Sequence, residues 1–263
     1  MRTSLQNMLD TVIASDDCGT DICPSWLQGR AAFGGLATSV ALTALQKEDL
    51  EGKSLRSLMT NFVAPLPAGA TQVNTAVLRS GRSVTQSVAD VVANGQITTH
   101  VSATFGAPRP SLAVAPVAAF NPDARESVAP LDSHDRRRPP FMSHFDIHWT
   151  GGGIPMANTK STSLSMWVRH KDDISRHPEA KLVALADIPP AIIFSHYDRM
   201  IMISSLSWSL DFVRPAEDVS SDWFYLEFEM HAAADGYSQQ SGKIFDAQGN
   251  LCLLTRQSMV YFE

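Results

Sequence analysis

Apolar and polar positions alternate along two stretches of the first half, residues 71–78 and 84–93. Val73, Thr75 and Val77 mark the first, and Val84, Val88 and Val91 the second. A period of two with β-branched residues predicts strands that bury one face. Ser80-Gly81-Arg82 separates the stretches and Asn94-Gly95 ends the second; Asn-Gly suits a tight type I′ hairpin turn. A third strand is predicted over residues 96–105, completing a meander. Three stretches of the same kind return at residues 223–233, 238–246 and 251–262, the last turn falling at Gln248-Gly249-Asn250. An apolar, helix-like segment precedes each set, at residues 36–45 and 188–197.

The two sets are copies of one unit. Asn61-Phe62-Val63-Ala64-Pro65 reads again as Asp211-Phe212-Val213-Arg214-Pro215, 150 residues later. The offset is 155 residues from Gly81 to Gly236 and 154 from Gly95 to Gly249, so the copies stay in step. One helix and one antiparallel meander, duplicated, define an α+β chain. A meander of this size must wrap its apolar face around the helix, which is the hotdog arrangement. The expectation is a duplicated (double) hotdog of two antiparallel sheets, each wrapped around a long helix. Its predicted parts are an N-terminal hotdog over 1–110, a Pro/Ala-rich linker over 111–140 and a C-terminal hotdog over 141–263. Duplication creates a seam between halves where a ligand can sit.

Composition narrows this little. The chain has 263 residues, 44% of them hydrophobic, enough for a continuous core. No apolar run reaches the roughly 18 residues that span a bilayer. Residues 1–18 carry Asp10, Asp16 and Asp17 and lack the features of a signal peptide, so the cytoplasm is expected. Cys18, Cys23 and Cys252 are an odd number, as for reduced thiols. Cys18 and Cys23 could be half of a metal site, but no further Cys or His pair completes it; neither metal nor other cofactor is expected. A net charge of −6 opposes nucleic-acid binding. The basic run Arg136-Arg137-Arg138 lies among acids and prolines and reads as part of an exposed linker.

Several motifs, in order, resemble the acyl-CoA thioesterases of the double-hotdog type, including the type II enzymes of bacteria. The likeness covers about residues 29–262. The first half carries it in Ala32-Phe33-Gly34-Gly35, in Asn61-Phe62-Val63 before Pro65, and in Val77-Leu78-Arg79-Ser80-Gly81-Arg82-Ser83. The second half carries it in Ser204-Ser205-Leu206, Phe212-Val213-Arg214-Pro215, Trp223, and Gly249-Asn250-Leu251 through Gln257. The resemblance implies hydrolysis of an acyl-CoA to free acid and CoA by a water that an aspartate, a hydroxyl and a glutamine position. These fall on Asp187, Ser205 and Gln257. Ser205 and Ser207 stand where the enteric member of the family has threonine and aspartate. Gly34 and Gly35 would offer backbone amides to the thioester oxygen, and Arg79 or Arg82 would meet the CoA phosphates. A homodimer or larger homo-oligomer is also expected.

The trio suits the chemistry: a carboxylate accepts the water's proton while a hydroxyl and an amide hold the water. Asp187 at a helix start would have its pKa lowered by the dipole, and burial would raise it. Plainer roles exist for each: Asp187 as an N-cap before Ile188-Pro189-Pro190, Ser205 as a small buried polar group, and Gln257, one position off the inward face, paired with backbone. Gly34-Gly35 would serve helix-to-sheet packing, and exposed hairpin arginines are usually solvated. His100, His144, His148 and His231 read as strand-face histidines, and Met156, Met166, Met200 and Met202 as core or acyl-chain lining. No Gly-x-Ser-x-Gly, phosphate loop or GxGxxG context is present. Two alternatives stay open: a non-catalytic acyl-CoA or lipid-binding module, and a hotdog enoyl-CoA hydratase. The second would need an Asp and His paired at the helix start, and His196 with Asp198 lies at the far end.

Overall fold

A computed structural model describes residues 2–48, 50, 52–132, 135 and 138–263; Arg136 and Arg137 of the basic run lie outside them. The first half contains α1 (Leu5–Ala14), β1 (Thr20–Ile22), the short pair β2 (Leu27–Gln28) and β3 (Ala31–Ala32), α2 (Gly34–Leu45), β4 (Ser54–Phe62), β5 (Gly69–Ser80), β6 (Val84–Ala93) and β7 (Gln96–Gly106). The second contains β8 (Phe145–Gly152), β9 (Ser163–His170), α3 (Pro178–Ala186), β10 (Met202–Phe212), β11 (Phe224–Ala234), β12 (Tyr237–Asp246) and β13 (Leu251–Phe262). The six meander strands fall where the alternation predicted them. The Asn94-Gly95 turn has φ of 51° and 75°, the positive pair that a type I′ turn requires.

The expected two sheets are one. Eleven strands run antiparallel in the order β1-β5-β6-β7-β4-β10-β13-β12-β11-β9-β8. The halves join where β4 meets β10, from Ser207 opposite Asn61 to Asp211 opposite Ser57. Each half's edge strand thereby satisfies the other's unpaired backbone groups. The copies agree down to an irregularity: β4 carries a bulge between Leu55 and Ser57, and β10 carries one between Ser205 and Ser207, again 150 residues on.

α2 packs on β5, β6 and β7, α3 packs on β9, and the two helices pack on each other. α2 is buried from Gly35 through Leu45, matching the apolar segment that predicted it. The second helix is displaced from its expected place at residues 188–197. It occupies Pro178–Ala186, nine residues with proline at its first turn, so it is not long, and it stops at Asp187. Pro189-Pro190 explains the difference: each proline removes a donor, and the residue before it is pushed out of helical geometry. Residues 188–197 instead form an irregular segment ending in a 3-10 turn, Ile192–His196.

The connection between halves crosses the outer face of the second. Phe120 packs on Trp167, Tyr225 and Phe245, and Trp167 Nε1–H donates to the Asp123 carbonyl at 3.0 Å. Of the four methionines read as lining, Met166 is core, whereas Met156, Met200 and Met202 are exposed. Apolar neighbours along the chain, such as Ile201 and Ile203 beside Met200 and Met202, hid that difference from the sequence.

Candidate active site

The two helices run antiparallel, and the start of α2 faces the end of α3. Glycine permits the approach: a Cβ on Gly35 would lie 3.0 Å from Ala184 Cα and 2.7 Å from the Phe33 ring. Asp187 is the residue that closes α3, with φ of −100°. Its Oδ2 accepts the Gly35 N–H at 2.7 Å. A Cβ on Gly34 would also come within 2.7 Å of that oxygen and 2.9 Å of Phe62. The N-cap role expected for Asp187 is therefore replaced by a different one: it ends its own helix and caps the start of the other.

The bulge on β10 delivers Ser205. Trp208, Leu210 and Phe212 are buried, so even-numbered positions face the helices there. The extra residue at Leu206 reverses the alternation, which turns Ser205 inward. Gln257 needs no such device: Leu253, Thr255, Gln257 and Met259 alternate on the inward face of β13 and are buried. It lies on that face, not one position off it. Its Nε2 donates to Ser205 Oγ at 2.8 Å and to Asp187 Oδ1 at 3.2 Å. The three residues expected to act together converge here.

Burial pushes the Asp187 carboxyl up to about 7, against the lowering influence of the Gly35 and Gln257 hydrogen bonds. No charged side chain is among the influences on it. Two dipoles oppose each other here: the C-terminus of α3 disfavours the carboxylate, and the N-terminus of α2, through the Gly35 N–H, favours it. Asp187 retains partial exposure, so the carboxyl is dehydrated without being sealed off. A group that titrates near neutrality is suited to general-base work.

Gly35's amide is committed to Asp187, which removes it as the nearest donor to a thioester oxygen. Arg79 and Arg82 are exposed at the far end of β5 and in the turn after it; β6, β7 and β4 separate β5 from β10. The structure does not bring them to Asp187. Among the described residues no group of three His, Cys, Asp or Glu could hold a metal. His100, His148 and His231 lie on strands as expected, but His144 ends a 3-10 turn, buried beneath Trp26.

His144 belongs to a second polar cluster with the residue types of a hydrolase relay and the wrong polarity. Its Nδ1 accepts from Arg2 Nε at 3.2 Å, so its Nε2 carries the proton that Ser25 Oγ receives at 3.0 Å. Burial and the nearby Arg2 guanidinium lower its pKa to about 4. This imidazole donates to Ser25 and cannot take its proton. An open depression of about 510 Å³, lined by Asp10, Ile13, Gln46, Arg176, His177 and Glu179, lies at the other end of the helix pair. Two of its charges pair with each other, Asp10 accepting from Arg176, and Asp10 also lies 3.0 Å from His177 Nε2.

Sequence reasoning missed Gln240, Ile192 and Phe62. Gln240, 1% exposed, sits opposite Gln257 on β12. Gln240 stands beside Gln239 in the largely polar strand Tyr237–Asp246, so nothing in the local pattern set it apart.

The sequence and the fold match known proteins. The acyl-CoA thioesterase C-terminal domain matches residues 123–261, and the acyl-CoA thioesterase N-terminal domain matches residues 23–106. The chain belongs to the acyl-CoA thioesterase family, and it is a thioester hydrolase. Similar solved structures include a hot dog fold protein of unknown function from Alicyclobacillus acidocaldarius, 17% identical with a TM-score of 0.82 over 93% of this chain and 92% of that one. A putative thioesterase II from Thermobifida fusca is 18% identical, with a TM-score of 0.78 over 93% and 92%. The tesB protein of Mycobacterium avium subs paratuberculosis is 14% identical, with a TM-score of 0.76 over 98% and 100%. These likenesses establish the hotdog fold. No curated protein matches in sequence. Among the described residues no helix is long and apolar enough to cross a membrane.

Proposed function

We propose that this acyl-CoA thioesterase works as a double hotdog whose catalytic centre is the Asp187–Ser205–Gln257 cluster at the seam between halves. The observation that carries the reading is the convergence of these side chains on one another, with Gln257 Nε2 shared between Asp187 and Ser205. Ionised Asp187 accepts a proton from a water as its oxygen attacks the thioester carbonyl carbon. The tetrahedral oxyanion then collapses, the carbon–sulfur bond breaks, and the departing CoA thiolate takes the proton back from Asp187. Both Gln257 N–H groups point at Asp187 and Ser205, so Gln257 acts by holding those two in register. Ser205 accepts from Gln257, which leaves its own O–H to donate to the water or to the developing oxyanion. The exposed Arg79 and Arg82 are contacts for CoA phosphates. An odd number of cysteines, Cys18, Cys23 and Cys252, supports a reducing compartment, the cytoplasm. Assembly of copies through sheet edges or faces completes the reading.

CoA release from a panel of acyl-CoAs, followed with a thiol reagent, tests it. In folded protein, Asp187→Asn and Gln257→Ala should each lower hydrolysis by roughly a hundredfold or more. Activity surviving in Asp187→Asn would remove the aspartate from its role and leave the reaction standing. Binding of acyl-CoA with no cleavage by the wild type would favour the non-catalytic module.

A further inference from the structure

One buried polar chain leads into the cluster from β12. The Ile192 N–H donates to Gln240 Oε1 at 3.0 Å, Gln240 Nε2 donates to Gln257 Oε1 at 3.5 Å, and Gln257 Nε2 donates onward to Asp187 and Ser205. Its direction is dictated from both ends. A backbone N–H can only donate, so the Gln240 oxygen must face Ile192 and its NH₂ must face Gln257. An ionised carboxylate can only accept, so Gln257 must present its NH₂ to Asp187. Without Gln240, an amide is free to turn end for end at little steric cost, and the turned form sets a carbonyl oxygen against a carboxylate.

We propose that Gln240 is a positioning residue: anchored by the Ile192 N–H, it fixes the orientation of the Gln257 amide and so the hydrogen bonds that Asp187 and Ser205 receive. This rests on Asp187 being the base. Gln240 is buried, with Met230 opposite it on β11 and Gln257 opposite it on β13, so little water competes for its amide. The groups acting on Asp187 from the elements around it are the Gly35 amide on α2 and the Gln257 amide on β13, with no charged residue among them. Half of that polar support therefore depends on which way one amide points.

Two substitutions separate positioning from packing. Gln240→Met keeps the shape and removes both hydrogen bonds. It should lower kcat about tenfold at pH 7, the worth of one hydrogen bond to a charged group, with KM within about twofold. The rising limb of its pH–kcat profile should move upward by about one unit, because the carboxylate loses a donor. Gln240→Glu keeps the acceptor for Ile192, and while protonated it still donates to Gln257. Its deficit against wild type should therefore deepen as pH rises and the new carboxyl ionises. A folded Gln240→Met with an unmoved limb, or a Gln240→Glu deficit constant with pH, would overturn the proposal; should Gln240→Met fail to fold, the Gln240→Glu profile decides. Asp187→Asn runs beside them. If it is inactive while the Gln240 profiles stay fixed, only the positioning role is lost; if it is fully active, both readings fall.

Discussion

The two ends of the helix pair are built alike and equipped differently. At one end α2 starts and α3 stops at Asp187; at the other α3 starts and α2 stops at Gln46. The strand registers give the remaining counterparts. Ser205 on its bulge answers to Leu55 on the equivalent bulge, and Gln257, opposite Trp208, answers to Ala103, opposite Leu58. Gln240, opposite Gln257, answers to Ser87, opposite Ala103. One end therefore assembles Asp, Ser, Gln and Gln. The other assembles Gln, Leu, Ala and a serine whose buried Oγ has no partner among the described residues.

That second end is also covered. α1, which has no copy in the second half, lies across it. Gln6 bonds Asp173 and the Arg176 N–H, Asp10 holds Arg176 and His177, and Lys47 reaches the Ser15 carbonyl. Duplication thus supplies two places of the same geometry, and geometry alone does not make a site. Hydrolysis needs a dehydrated carboxylate and donors for it together, since either one alone is a buried liability.

The largest effect that separates the ends should come from closing the tight approach at the first. Gly35→Ala puts a methyl group against the Ala184 backbone and the Phe33 ring, so the helices must part and the hydrogen bond to Asp187 must lengthen. Hydrolysis should fall at least about tenfold and chemical unfolding should show a loss of about 1–3 kcal/mol, as for other overpacked sites. Wild-type turnover in Gly35→Ala would mean that helix spacing does not matter to the site.

A smaller effect concerns the stability cost of keeping Asp187. Its carboxyl sits near 7 in the folded chain and near 3.9 in the unfolded one. Between those values the folded chain holds a proton that the unfolded chain has released, so wild-type stability falls as pH rises from about 4 to 7 and is level above. Asp187→Asn, neutral at all pH, should gain about 2 kcal/mol in urea unfolding at pH 8 and clearly less at pH 5. An equal gain at both would show that the carboxyl is not raised by burial.

The smallest effects belong to the covered end. Ser87→Ala deletes an oxygen without a partner, so stability should stay level or rise by up to about 1 kcal/mol. Hydrolysis by Ser87→Ala and by Gln46→Ala should remain within about twofold of wild type. A marked loss in either would give the second end a part in turnover.

Much of this was legible before any coordinates. The six meander strands were readable because each buries one face, which writes a period of two into the residues, and Asn94-Gly95 announced its turn. Gln257, like Asp187 and Ser205, came from the resemblance, and its place on the inward face was misjudged by one position. Ser205 and Asp187 were found through the resemblance, but their settings were not readable. The inward turn of Ser205 depends on a bulge, and no residue type marks that bulge. The helix before Asp187 was placed beyond it because residues 188–197 are as apolar as a helix, and the weight of Pro189-Pro190 was not given to the break. The β8 and β9 strands and α1 went unread as well.

By itself the sequence determined the duplication, the antiparallel strands, their turns and the chemical types available to the site, because these depend on neighbours within a few positions or on direct repetition. Only the tertiary structure decided that two halves share one continuous sheet and that Asp187 ends one helix while capping another. It also decided that the Gln257 amide donates to both Asp187 and Ser205, and that of two equivalent helix ends one closes on a carboxylate and the other on Gln46. Those outcomes depend on groups 50 to 150 residues apart meeting within hydrogen-bond distance, where burial, and not residue type, sets a carboxyl's affinity for its proton.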